Sequence, residues 1–198
     1  MASDHYFSSS PSSAGERRPL HVRLAGREVE LATASGIFSP DRIDVGTQVL
    51  LREAPTPPPG GDLLDLGCGW GPIALTLALE SPHATVWAVD VNERALGLVR
   101  ENARRLGLEN VNAVRPEDVP EEVRLRTIWS NPPIRVGKQE LHDMLLRWLP
   151  RLDDDADAWL VVQRNLGSDS LHRWLEGEGY TVDREATGKG FRVLRVRR

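Results

Sequence analysis

Cysteine is almost absent from this chain: Cys68 stands alone among 198 residues, which excludes an internal disulfide and any metal site built on several thiolates. Lysine is nearly as scarce, since only Lys138 and Lys189 accompany the arginines that make up the rest of the 25 basic residues. The five histidines are scattered and show no ligand spacing. No apolar run approaches the ~20 residues that span a bilayer, and the opening MASDHYFSSS lacks a basic stretch followed by an apolar one. A cytoplasmic protein with no secretory signal and no membrane partner is expected. Positive charge is not in excess either: 29 acidic residues leave a formal net charge of -4, so a nucleic acid would have to be met by a local patch.

What is present fits one folded domain, with 40% hydrophobic and 27% charged residues. Residues 1–18 are polar and serine-rich and read as a flexible N-terminal arm, leaving 19–198 as a single domain with a preface (19–61) and a core (62–198). In the preface, Leu20, Val22 and Leu24 alternate with polar residues, Ala25-Gly26 turns the chain, and Val29 and Leu31 alternate again, a β-hairpin pattern. Val45 to Glu53 reads as a helix with Val45, Val49 and Leu50 on one face, and Pro55 to Gly61 as a linker.

From Asp62 onward, short apolar runs at Leu63–Leu66, Thr85–Asp90, Val111–Val114, Thr127–Ser130 and Ala158–Gln163 alternate with helical patterns. Those helices fall at Pro72–Glu80, Glu93–Leu106, Gln139–Leu149 and Ser168–Glu176. The alternation predicts an α/β fold, a parallel sheet with helices on both faces. Tyr180–Glu185 and Phe191–Val196 follow with only Ala186–Gly190 between them, too short for a helical crossover, so they should pair antiparallel. Asp153 to Asp157 reads as a polar turn before a strand. Trp87, Trp129 and Trp159 lie in strands and read as core, Trp148 and Trp174 sit on apolar helix faces, and Trp70 borders a glycine-rich turn.

That turn is the strongest chemical signal. Asp65-Leu66-Gly67-Cys68-Gly69-Trp70-Gly71-Pro72 runs from a buried strand through three glycines at alternate positions to a proline suited to a first helical turn. Glycine is needed where backbone turns sharply and approaches a ligand without a Cβ in the way. The spacing differs from the dinucleotide fingerprint G-x-G-x-x-G, and Asp65 would disfavour a pyrophosphate; a ligand bearing a positive amino group suits it better. Asp90, 23 residues after Gly67, either accepts hydrogen bonds from two ribose hydroxyls or caps the helix beginning near Asn92. Asn131-Pro132-Pro133 ends the fourth core strand at the same edge of the sheet. Its asparagine oxygen and a prolyl carbonyl can accept hydrogen bonds from an NH2 group on a loop that the prolines stiffen.

Together these segments resemble class I S-adenosylmethionine-dependent methyltransferases. Asp65 to Gly71 is similar to their D/E-x-G-x-G-x-G motif. Asn131 to Ile134 resembles the N/D/S-P-P-Y/F/W motif of enzymes that methylate amino groups of DNA adenine, RNA guanine or adenine, and protein glutamine. Here Ile134 stands in place of the aromatic, so stacking would fall to Phe38, Phe191 or Tyr180. Gly36 to Leu51 looks like the segment preceding the glycine turn in ribosomal RNA guanine-N2 methyltransferases. Asn131 to Lys138 is similar to the N-P-P-F/I-H/R-x-G-K form of their short single-domain relatives, the methyltransferase small domain group.

The resemblance implies a Rossmann-like seven-stranded sheet with a terminal antiparallel hairpin, helices on both faces, and an N-terminal β-hairpin and helix before it. It implies S-adenosyl-L-methionine as cofactor, lying over Leu66, Gly67, Cys68, Gly69, Trp70 and Gly71, with Asp65 near its methionine amino end. Gly46 and Thr47 would close over the methionine part, Asp90 and Val91 would meet the adenosine, and Asp118 the adenine amine. Asn131, Pro132 and Pro133 would be catalytic, Asn131 also touching cofactor, while Phe38, Ile134, Arg135 and Lys138 would face the substrate. The implied reaction is methyl transfer to guanine N2 of small-subunit ribosomal RNA, with ribosomal RNA or the small subunit as partner. Larger relatives carry a second RNA-holding domain, for which a homodimer or a further ribosomal contact would substitute. Lys189, Arg192, Arg195, Arg197 and Arg198 form a candidate basic patch. Protein glutamine-N5 methylation, another nucleic-acid amino methylation and a non-catalytic RNA- or nucleotide-binding module stay open as alternatives.

Overall fold

The computed structural model describes residues 16–198, so the proposed arm falls outside the described residues except at its end, where Arg17 and Arg18 already belong to the first strand. β1 (Arg17–Leu24) and β2 (Arg27–Ala34) form the expected hairpin. Its turn residues Ala25 and Gly26 both have positive φ, 45° and 75°, the backbone that matches the twist of two paired strands. After α1 (Val45–Glu53) come β3 (Gly60–Leu66), α2 (Pro72–Glu80), β4 (His83–Val89), α3 (Glu93–Arg105), β5 (Val111–Val114) and β6 (Leu125–Ser130). The chain ends with α4 (Lys138–Trp148), β7 (Leu152–Gln163), α5 (Ser168–Gly177), β8 (Thr181–Gly188) and β9 (Phe191–Arg197). The main sheet has the order β5-β4-β3-β6-β7-β9-β8; β9 is antiparallel to β8, as expected, and also to β7.

Two expectations are corrected. The acidic run 153–157 is not a turn but the start of β7, which begins pairing at Leu152 opposite Leu125. Asp157 serves there as an acceptor for Arg195 Nε at 2.9 Å and Trp159 Nε1 at 2.8 Å, so the strand uses a carboxylate where composition favoured a turn. Trp87 is only half-buried, because its indole nitrogen reaches outward to Asp62 at 2.8 Å.

Period-two alternation separates the core into two layers. Leu63, Val86, Trp129 and Val161 face α1, α2 and α3 through Leu50, Ile73, Leu77 and Val99. Leu64, Ile128, Leu160 and Leu194 face α4 and α5 through Leu141, Leu145, Leu171 and Leu175. The hairpin adds a third layer outside α2 and α3, packing Leu24, Leu31 and Ala32 on Leu75 and Leu98. Sandwiched between the sheet and the hairpin, α2 is buried from Pro72 to Ala78, which explains a sequence apolar on every side. Asn102 of α3, fully buried, locks the hairpin down: its Oδ1 accepts the Ala32 N–H at 2.7 Å, and its Nδ2 donates to the Ala32 and Trp70 carbonyls.

Chain order places the site. From β3 the chain winds to β4 and β5 on one side, then returns to set β6 on the other side of β3. Loops leaving β3 and β6 therefore diverge, opening a crevice at the carboxyl ends of the two central strands.

Candidate functional site

The first wall of the crevice is the glycine turn. Gly67, Gly69 and Gly71 have φ of 77°, 54° and 99°, left-handed values that glycine takes without strain. At Gly71 space is also short, for a Cβ would lie 3.1 Å from Val99 Cγ2. The turn's amides point inward: Gly67 and Cys68 donate to the Val89 carbonyl at 2.8 and 3.0 Å, Gly71 to the Cys68 carbonyl at 2.9 Å, and Gly69 to Asp90 Oδ2 at 2.9 Å. With these four N–H groups committed, the turn offers little to a phosphate.

Its carboxylates fit a cation. Asp65 is fully buried; Oδ2 accepts the Ala74 N–H at 2.8 Å, and Oδ1 has no partner among the described residues. Burial, with Asp90 nearby, pushes its carboxyl up to about 8. Oδ1 is an enclosed acceptor without a donor among the described residues, and Asp65 lies behind the turn, lining neither the main cavity nor the smaller cleft beside it. Asp90 is buried too, and burial raises its carboxyl against the bonds it accepts from Gly69 and Asn92. Asn92, not Asp90, caps α3, accepting from the Arg94 and Ala95 N–H groups. Asp90 is thereby left lining the cavity, its carboxylate held by the Gly69, Val91 and Asn92 N–H groups. Burial also lifts the Cys68 thiol well above its ordinary range, so it packs as a small apolar group.

The second wall is built around Asn131. Ser130 donates to the Leu66 carbonyl at 2.6 Å and ties the ends of β6 and β3 together. Asn131 Nδ2 donates to Asp44 Oδ2 at 2.9 Å and to Thr47 Oγ1 at 3.1 Å. Both amide hydrogens are thus engaged by the start of α1, and turning the amide over would set its oxygen against a carboxylate. Oδ1 is the atom left to accept a hydrogen bond. The Pro132 and Pro133 carbonyls already accept the Ile134 and Val136 N–H groups, at 2.9 and 3.1 Å. Gly46 is required by crowding: a Cβ there would sit 2.8 Å from Phe191 Cε1 and 3.0 Å from Asp44 Oδ2.

Between the walls lies a cavity of about 990 Å³ whose lining includes Phe38, Asp90, Val91, Asn131, Ile134 and Phe191. Thr47, Cys68 and Trp70 line a smaller cleft beside it that shares Asn131 and Gly67. Among the described residues, Asp44, Asp90, Glu140 and Asp143 outnumber Arg147 around the main cavity, and Arg147 is occupied with the Pro116 carbonyl at 2.6 Å. An acid-rich enclosure favours a positively charged ligand.

Several expected residues are placed differently. Asp118 is exposed and does not line the cavity, because the one-turn helix Pro116–Asp118 presents Pro116 instead. Gly46 and Thr47 lie in the first turn of α1, within the helix expected at Val45–Glu53. Trp70 is 2% exposed and packs beneath the hairpin, its indole donating to the Ser39 carbonyl at 3.1 Å. Of the three candidate aromatics, Phe38 and Phe191 reach the cavity, while Tyr180 packs against the α4–α5 core. Lys138 is exposed at the first residue of α4; the Arg135 side chain lies outside the described residues. The carboxyl-terminal arginines are ion-paired: Arg192 with Asp169, Arg195 with Asp157, Arg197 with Asp183 at 2.6 Å, and Arg198 with Asp154 at 3.8 Å. Asp44 falls inside the Gly36–Leu51 segment that the resemblance singles out, but sequence reasoning gave it no role; in the structure it caps α1 as well.

Comparison with known proteins agrees with this geometry. Residues 28–195 match the profile of a family described as methyltransferase small domain. The chain is 32% identical over 199 residues to the uncharacterized protein YbxB of Bacillus subtilis (strain 168), covering 99% of each. It is 31% identical to ribosomal RNA small subunit methyltransferase C of Ectopseudomonas mendocina (strain ymp), covering 89% of this chain and 54% of that one. It thus spans about half the length of the ribosomal RNA methyltransferases it matches. Among solved structures, the T. thermophilus 16S rRNA N2 methyltransferase RsmC, in complex with AdoMet and guanosine, superposes with a TM-score of 0.80. That likeness has 24% identity and covers 96% of this chain and 52% of the other, and it shows the shared fold.

Proposed function

The chain belongs to the methyltransferase small domain family, a group of S-adenosylmethionine-dependent enzymes, and on that premise we propose that it methylates an exocyclic amine, guanine N2 of small-subunit ribosomal RNA. The observation that carries the proposal is Asn131, held by both amide hydrogens so that only its oxygen remains to receive an amine. Bound S-adenosylmethionine would supply an electrophilic methyl on a positively charged sulfur. Asp65 would meet its ammonium and Asp90 its ribose hydroxyls, with Val91 and the Gly67–Gly71 turn beneath the nucleoside.

Asn131 Oδ1 would accept one hydrogen of the substrate amine and point the nitrogen lone pair at the methyl, with the spare proton leaving to water after transfer. Rate enhancement of this kind comes from alignment more than from a general base. Ile134, Phe38 and Phe191 would hold the base by apolar contact, and Arg135 and Lys138 would meet the backbone of an RNA whose base is turned out of its stack. Residues 19–198 would act as one catalytic domain in the cytoplasm, with a second copy or a ribosomal contact helping to hold RNA. Support for guanine comes from the names of the relatives and from the guanosine in the RsmC structure.

Two measurements test the reading. Calorimetry is expected to show S-adenosylhomocysteine binding to the full chain. Mass spectrometry of ribosomal RNA nucleosides is expected to show loss of one N2-methylguanosine in a strain without the gene; an unchanged nucleoside profile would count against ribosomal guanine as the substrate.

A further inference from the structure

Asn131 does not stand alone on its wall. Its amide is bonded to Asp44, and each member of the pair keeps one uncommitted oxygen among the described residues: Asn131 Oδ1 and Asp44 Oδ1. Both side chains line the main cavity. Two neighbouring acceptors, one of them a carboxylate, call for two neighbouring donors on the ligand. We infer that Asp44 reads the N–H beside the target amine while positioning Asn131, and so restricts the site to guanine. This inference rests on the function proposed above.

Acceptable substrates differ in what flanks their NH2 group. In guanine the 2-amine sits beside N1–H, so the edge presents two donors. Adenine, cytosine and the glutamine amide each place an acceptor there, a ring nitrogen or a carbonyl oxygen, which would face a carboxylate without a hydrogen between them. Such a mismatch inside a cavity leaves two polar groups unpaired and rejects the wrong group strongly. Asp44 thus separates guanine from the glutamine and adenine alternatives with no need for the aromatic that Ile134 replaces. Gly46 belongs to the same device, since a side chain there would collide with the Asp44 carboxylate and Phe191 together.

Inosine and 2-aminopurine riboside dissect the two contacts, the first keeping N1–H without the amine and the second keeping the amine without N1–H. With the full chain saturated by S-adenosylhomocysteine, saturation-transfer NMR is expected to show inosine binding about tenfold more tightly than 2-aminopurine riboside. In Asp44→Asn, which retains a good helix cap, that preference is expected to vanish or invert, while S-adenosylhomocysteine affinity stays within about threefold. Equal affinities in the wild type, absence of inosine binding, or a preference unchanged in Asp44→Asn would each overturn the inference. Guanine N2 methylation of ribosomal RNA by the wild type is scored separately. If it persists while the nucleoside preference is absent, Asp44 has no reading role but the proposed function stands; if it is absent, the proposed function itself falls.

Discussion

One wall of the cavity is a turn written in one short window and held mainly by backbone carbonyls, whereas the other joins Asp44 and Thr47 to an asparagine 87 and 84 residues away. The glycine turn is fixed by three amides bonded to the Val89 and Cys68 carbonyls and by one bonded to the Asp90 carboxylate, so Asp90 is the one side chain among these acceptors. The Asn131 wall depends on side chains throughout. A wall of backbone suits a cofactor common to a family; a wall of side chains can be altered residue by residue to change the acceptor. The two walls should therefore fail in different ways when mutated.

Asn131→Ala is the sharpest division. Methyl transfer is expected to fall at least about 100-fold, about 2.7 kcal/mol in the barrier, while S-adenosylhomocysteine affinity measured by calorimetry changes by less than about threefold. Parallel loss of both would show that the walls do not act separately. Asp90→Ala is the converse: removal of a buried, hydrogen-bonded carboxylate is expected to weaken S-adenosylhomocysteine by about 10- to 100-fold. Turnover at saturating cofactor should then stay closer to the wild-type value than it does in Asn131→Ala.

Asp65 tests the first wall through pH. Its folded carboxyl titrates near 8 against 3.8 ordinarily, so the folded state holds a proton that the unfolded chain gives up. This contribution to stability is complete below pH 3.8, is lost as pH rises toward about 8, and is level above that. The ligand-free Asp65→Asn variant, which cannot ionise, is expected to melt several degrees above the wild type at pH 8.5, with the gap narrowing by pH 5.5. A bound ammonium should also narrow it at pH 8.5. A gap independent of pH would remove Asp65 as the buried acid of the turn.

The same contrast decides what could be read from sequence. The glycine turn, the central strands and the carboxyl-terminal hairpin were legible because each is written in a short window: glycines at 67, 69 and 71, or two strands separated by Lys189-Gly190, both at positive φ. Asn131 was legible as a motif, but its partners were not, since nothing in a linear window brings residue 44 to residue 131. The outward placement of Asp118 is not legible for a related reason: three residues of one-turn helix decide which side chain faces inward, and composition does not encode that rotation. The arginine-bearing strand erred in the opposite direction. Its alternation was correctly placed, but charge counted along one strand ignores the carboxylates that β7, α5 and β8 bring alongside.

That last point gives the smallest expected effect. Arg195 lies 5.6 Å from the centre of the Trp159 ring and pairs with Asp157 at 2.9 Å; Arg197 pairs with Asp183 at 2.6 Å. Such locally neutralised cations release few counterions from a bound RNA, so Arg197→Gln is expected to change RNA affinity by less than about twofold and to leave its salt dependence unaltered. Lys138, exposed beside the Asn131 loop and without an ion pair among the described residues, is expected to behave differently. Lys138→Gln should reduce the slope of log K against log salt by about one if the lysine meets a phosphate. A reversal, with Arg197 carrying the slope and Lys138 silent, would move the RNA-facing surface from the Asn131 wall to the far edge of the sheet.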